Sequence, residues 1–205
     1  MSAALSLLVL FGCAALRAGD VPPPRIYPRS SWTRVPVGDE PQDPEKTRIV
    51  LHHTADFVTD AQKRLTGRAS WLAAVAHARR ALSFHKHIRG WKDVGYHYII
   101  DWEGRILEGR PIELLGAHVE KHNTGSIGVV LMGDLSRQRP TAKQVASLKA
   151  LLAYLMDEYH IPPSQISGHY QMKYTICPGT YLNNLWDPDA KPLDYTQIGP
   201  RPRRR

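Results

Sequence analysis

The sequence predicts a mixed α/β fold, a central β-sheet flanked by helices in a single domain. Short runs rich in β-branched and aromatic residues recur along residues 29–188, each long enough for one buried strand. Between and after them lie two stretches of helical periodicity, each with one apolar stripe. The order strand, helix, strands, helix favours helices packed on a sheet over a bundle or a sandwich. A hydrophobic fraction of 42% in 205 residues is enough for about one core.

Residues 3–16 are almost entirely apolar. That is shorter than the roughly 20 residues a membrane span needs. The segment reads as an export signal occupying residues 1–19, although no lysine or arginine precedes it. Leu10-Phe-Gly-Cys13 also resembles a lipoprotein box, with Cys13 the point of lipid attachment. Either signal directs the protein out of the cytoplasm, to the periplasm or cell envelope or into the medium. Residues 20–28, with consecutive prolines, read as a stiff linker.

The folded body is expected from 29 to 188. Its first strand falls at 47–53, a short apolar run ending in His52 and His53. Residues 54–68 lack periodicity and read as a loop. A helix follows over 69–87, with Leu72, Val75, Ala78 and Leu82 as its stripe. Residues 94–100 form a strand, 101–104 a turn and 105–108 the returning strand of a hairpin. Residues 126–132 are another buried strand. The clearest helix spans 141–160: Thr141 and Gln144 fit a capping box, and Val145, Leu148, Leu151, Leu152, Leu155 and Tyr159 share a face. Pro162 and Pro163 stop it.

The net charge is +8, but Arg201 and Arg203 to Arg205 supply four of those positives. They lie in a basic, disordered tail, residues 189–205, without the aromatics of a nucleic-acid surface, so no specific nucleic-acid partner is expected. Mild positive charge on the body suits an anionic polymer.

The chain has two cysteines, Cys13 and Cys177. With Cys13 in the signal segment, Cys177 has no disulfide partner in the body. His52, His169 and Cys177 could supply two imidazoles and a thiolate to a zinc ion that keeps an open position, the arrangement of hydrolytic sites. His52 and His53 alternate on a strand and face opposite sides, so at most one is a ligand. The spacing does not select this reading alone. The chain has ten histidines, and a lone cysteine is equally a small buried hydrophobe. His77, His85 and His87 read as ordinary helix-surface or packing residues.

An ordered set of motifs adds what spacing lacks. Ser30-Ser-Trp32 opens the body, followed by Ile49-Val-Leu-His52-His-Thr-Ala55 and Arg89-Gly-Trp-Lys-Asp-Val-Gly-Tyr96-His-Tyr-Ile-Ile100. Then come Glu103-Gly-Arg-Ile-Leu-Glu-Gly-Arg110, Gly116-Ala-His118, Asn123-Thr-Gly-Ser-Ile-Gly128, and Gly168-His169 to Cys177-Pro-Gly179. Together they resemble the peptidoglycan recognition proteins and the related phage lysozyme-type amidases, over roughly residues 29–186.

The resemblance implies a zinc-dependent N-acetylmuramoyl-L-alanine amidase, which cuts the lactyl–L-alanine amide of peptidoglycan. It places one zinc on His52, His169 and Cys177 and gives Tyr96 a catalytic role. Thr175 stands where phage amidases carry a lysine and is expected to assist Tyr96. His118 and Asn123 fall on a loop bordering the substrate groove and are assigned to substrate binding; His53 is grouped with them in a supporting role. The alternative is a non-catalytic peptidoglycan-binding module, and such members commonly lack the cysteine. Animal members usually carry a disulfide within the stretch matching residues 56–68, which has no cysteine here; this implies a bacterial member. The expected partner is a muropeptide, and the expected state a monomer.

Overall fold

Strand formation follows the β-branched runs. In the computed structural model, which describes residues 21–186, β1 is Ile26–Tyr27, β2 Arg48–His53, β3 Tyr98–Ile100, β4 Ile106–Glu108, β5 Ser126–Leu131 and β6 Ile166–Gly168. They form one sheet in the order β1-β4-β3-β5-β2-β6. The β3–β4 hairpin is antiparallel and every other neighbouring pair is parallel. Residues 1–19, read as an export signal with Cys13, and residues 189–205, read as a basic tail, lie outside the described residues. No helix among the described residues is long and apolar enough to cross a membrane.

The helices are α1 (Asp60–Arg64), α2 (Gly67–His87), α3 (Ala142–Glu158) and α4 (Thr180–Trp186). The α3 capping box is present as expected, with Thr141 accepting from the Gln144 backbone N–H and Gln144 reaching back to the cap. Both faces of the sheet are covered, so the central strands are buried along their length apart from the half-buried Arg48. Alternate residues feed two cores. Ile49, Leu51, Ile127, Val129 and Leu131 pack with Leu148, Leu151 and Leu155 of α3. Ile99, Leu107, Val130 and Met132 pack with Trp32 and with Ala74, Val75, Ala78 and Leu82 of α2.

Several expectations need correction. Ile26 and Tyr27, inside the stretch read as a linker, form a strand parallel to β4. Residues 54–68 hold α1, whose Thr59–Gln62 capping box sets its start, and the first two residues of α2. Leu72 is 55% exposed; the buried stripe of α2 instead includes Ala74, His77 and His85. The strand expected over 94–100 begins only at Tyr98. Residues 94–97 run irregularly beside it, held by Arg110 N–H to the Tyr96 carbonyl at 2.8 Å and Gly109 N–H to the His97 carbonyl at 2.8 Å. In a regular strand Tyr96 and Tyr98 would share a face. Here Tyr98 packs on the α3 side and Tyr96 on the α2 side.

Buried charges tie down this irregular segment. Arg29 pairs with Asp93 at 2.8 Å. Arg110, 1% exposed, donates to the Val94 carbonyl at 3.0 Å and pairs with Glu40 at 3.2 Å. Each charge is compensated, as burial requires.

Two buried imidazoles also brace it as acceptors. His85 Nδ1 accepts from the Gly95 N–H at 3.1 Å, and His97 Nδ1 accepts from the Gly128 N–H at 2.9 Å. Burial pushes His85 down to about 4 and His97 to about 3. The folded rings therefore bind fewer protons than unfolded ones near the ordinary 6.5, so their contribution is complete above that value and is lost as pH falls through it toward 4. Each costs about 2 kcal/mol of stability near pH 5. Urea unfolding in chelator is expected to show a marked loss of stability between about pH 7.5 and about pH 5. A flat profile would refute the acceptor assignment.

Candidate metal centre

The sheet register brings the first two candidate ligands together. β2 and β6 run parallel with Leu51 opposite Gly168, so His52 and His169, one residue further on, leave adjacent strand ends side by side. Their ring centroids are 4.8 Å apart. His169 opens a short 3-10 turn, His169–Gln171, and the chain loops back to Cys177. The Tyr170 N–H donates to the Cys177 carbonyl at 2.9 Å, and the Cys177 N–H donates to Thr175 Oγ1 at 3.2 Å. This lies outside the carboxyl ends of parallel strands, where open α/β sheets place their ligands.

One donor atom from each of His52, His169 and Cys177 lies within 4.8 Å of the others. His52 Nδ1 and Cys177 Sγ are 3.5 Å apart. A tetrahedral zinc with ordinary bond lengths separates its ligand atoms by roughly 3.3–3.7 Å, and the His52–Cys177 pair already stands at that spacing. His169 Nε2 is buried without a hydrogen-bond partner. Buried polar atoms are normally satisfied, and the exceptions need a reason. Two imidazoles and a thiol are the donor set zinc prefers.

The electrostatics agree. Burial, with His118 and His169 nearby, lowers His52 well below the ordinary imidazole range. Burial and then Lys173 lower His169 to about 4. Both rings are neutral at physiological pH, as metal ligation requires. Burial pushes the Cys177 thiol up to about 12, against a hydrogen bond from the His53 backbone. A cation in the cluster would reverse that shift.

Tyr96 lies beside this cluster, its ring 5.1 Å from His52. Burial, followed by Cys177, raises its pKa above the ordinary value of 10.0, so it stays a neutral donor. Behind it, His85 packs 5.4 Å from Tyr96 and 4.6 Å from Trp91. The sequence reading missed His85 as part of this support. Its signal was helical phase: with Ala78 and Leu82 it follows an i, i+4, i+7 stripe.

The side chains assigned to substrate binding are engaged with protein partners. His118, 6% exposed, lies under His52, with His52 Nε2 and His118 Nδ1 at 3.0 Å. Asn123 Oδ1 accepts from the backbone N–H groups of His118 and Val119 at 2.9 and 2.8 Å. His53 turns to the other face, where Nδ1 accepts from the Leu135 N–H at 3.0 Å and sits 3.8 Å from Asp134. Thr175 braces Cys177 through its oxygen, which leaves its proton free to donate.

The mixed α/β domain thus gathers two imidazoles and a thiol, His169 half-buried and the other two buried, at its strand ends, a donor set that could hold one metal ion. The chain belongs to the N-acetylmuramoyl-L-alanine amidase family Amidase_2, whose family model matches residues 42–180. It is 30% identical over 168 residues to peptidoglycan-recognition protein LB of Drosophila melanogaster, covering 77% of this chain and 66% of that protein. The amidase LysC from Clostridium intestinale superposes with a TM-score of 0.60 at 25% identity, covering 85% of this chain and 95% of LysC. Peptidoglycan recognition protein LE, solved with tracheal cytotoxin, a monomeric diaminopimelic acid-type peptidoglycan, superposes with a TM-score of 0.63 at 31% identity, covering 75% of this chain and 87% of that one. The relatives thus include animal and bacterial proteins, and both amidases and recognition proteins.

Proposed function

We propose that this protein is a zinc-dependent amidase that hydrolyses the bond between the lactyl group of N-acetylmuramic acid and L-alanine in peptidoglycan. The completeness of the His52, His169 and Cys177 cluster carries the reading. Those residues would hold one zinc ion. Zinc supplies Lewis-acid polarisation of the scissile carbonyl and activation of water near neutral pH. The chain's own part is to hold the two imidazole ligands neutral and to stabilise charge. Attack on the amide develops an oxyanion, and the phenol of Tyr96, whose ring lies 5.1 Å from that of His52, would be its neutral donor. Thr175 can add one hydrogen bond but no positive charge.

The peptidoglycan recognition proteins among its relatives support a muropeptide as the partner. Export, for which the apolar segment at 3–16 argues, would bring the protein to that polymer.

The test is incubation of the zinc-loaded protein with purified peptidoglycan of diaminopimelate and lysine types, with and without chelator. The expected result is release of stem peptides free of muramic acid, abolished by chelator and restored by zinc. Sedimentation of the protein with the polymer, without any release, would replace this reading with that of a binding module.

A further inference from the structure

We propose that His118 is a positioning residue that fixes the tautomer of His52 and so aims its Nδ1 lone pair at the metal position. This rests on the zinc reading above, and it reassigns His118 from the substrate groove to the support of a ligand. The chain of hydrogen bonds runs inward from the sheet. His118 Nε2 lies 3.3 Å from the Ser126 carbonyl oxygen. A carbonyl oxygen only accepts, so Nε2 carries the proton of a neutral ring and Nδ1 is left as an acceptor. His52 Nε2, 3.0 Å from that nitrogen, must then donate to it. One proton on His52 leaves Nδ1 bare, and Nδ1 is the atom 3.5 Å from Cys177 Sγ. The opposite arrangement would set the lone pair of His118 Nε2 against those of the Ser126 carbonyl.

The surrounding sequence is shaped to hold this one ring. A Cβ at Gly128 would lie 2.6 Å from His118 Cδ2, and one at Gly116 would lie 2.7 Å from the same atom. Both glycines therefore open a slot that any side chain would fill. His97 walls it, its ring 5.9 Å from that of His118. His97 is itself locked, accepting from the Gly128 N–H and donating to the Leu114 carbonyl at 3.0 Å. Asn123 clamps the backbone N–H groups of His118 and Val119. The motif Gly116-Ala-His118 and the motif Asn123 to Gly128 thus form one device. Their common product is a buried imidazole with a free acceptor under His52. Partners of this kind orient metal-bound histidines and raise their basicity.

Two measurements test it on the 205-residue protein. Long-range nitrogen–proton NMR of the 15N-histidine-labelled, metal-free protein is expected to show His52 protonated at Nε2 only. Zinc affinity, by competition with a chromophoric chelator, is expected to fall about 10–100-fold in His118→Phe. It should be largely recovered in His118→Asn, whose amide oxygen can stand near the Nδ1 position. Protonation of His52 at Nδ1 in the parent overturns the proposal, as does unchanged zinc affinity in a folded His118→Phe. If His118→Phe does not fold, the NMR result on the parent decides. A parent that binds no zinc would instead sink the amidase reading, while the tautomer remains readable from the same spectra.

Discussion

If the protein is the amidase proposed above, Cys177→Ser is expected to abolish hydrolysis and leave binding to peptidoglycan. Structural zinc sites are worth about 10–16 kcal/mol over four ligands, so each contributes roughly 3 kcal/mol, a factor of about a hundred in affinity. The replaced thiolate is also the cluster's only anionic ligand, and serine would not ionise in its place. Zinc content after dialysis should drop from near one per chain toward zero, and release of stem peptides should disappear with it. Binding to the insoluble polymer should persist, because a serine oxygen can still accept from the His53 backbone N–H that meets the sulfur. Cys177 is 9% exposed and makes few polar contacts, so the melting temperature in chelator should differ little from that of the parent. Retention of both zinc and hydrolysis by this variant would remove Cys177 from the centre. Loss of polymer binding together with hydrolysis, at unchanged stability, would show that the metal anchors the substrate as well as activating it.

Much of the scaffold was legible because local and global signals agree. The runs at 49–51 and 127–131 are continuous and apolar because both faces of their strands are covered. The α3 boundaries follow from one capping box and the proline pair after the helix. Where the signals separated, the reading failed in understandable ways. Leu72 fits the stripe of α2 by type, but the helix is rotated so that Ser70 and Ala74 face inward and Leu72 does not. Two-residue strands such as β1 carry too little pattern to stand out beside prolines. Residues 94–97 look like strand by composition; buried arginine and histidine contacts from distant segments make them irregular instead.

The candidate ligands were legible as types in an order, and the structure adds their meeting. No spacing rule connects position 52 to 169 across more than a hundred residues; the parallel pairing of β2 with β6 does. The protein partners of His118 and Asn123 were not legible. A polar loop residue near a site reads as a substrate contact unless its hydrogen-bond partners are known. Here those partners are His52 and the loop's own backbone. His53 is the complementary case. The alternation of a strand put it on the face away from His52, and its bond to the Leu135 N–H shows what it supports there.

Tyr96→Phe separates chemistry from assembly of the centre. The phenol lies beside the cluster with its ring 5.1 Å from that of His52. Burial keeps it protonated, and hence a donor, across the working pH range. Removing one donor to a developing oxyanion costs about 10²–10³ in kcat. The phenyl ring keeps the packing against His85 and His52, so the slot is filled and the ligand geometry is undisturbed. Zinc affinity and polymer binding should therefore match those of the parent, and the loss should fall on kcat with KM nearly unchanged. If the variant instead raises KM at constant kcat, Tyr96 contributes ground-state binding. If it hydrolyses peptidoglycan at the parental rate, the charge falls to another donor, and Thr175 is the first to replace. A double variant, Tyr96→Phe with Thr175→Val, then discriminates. Independent donors to one oxyanion should lose activity roughly in proportion to the product of the single losses, whereas a Thr175 that only braces the Cys177 N–H should lower zinc affinity as well.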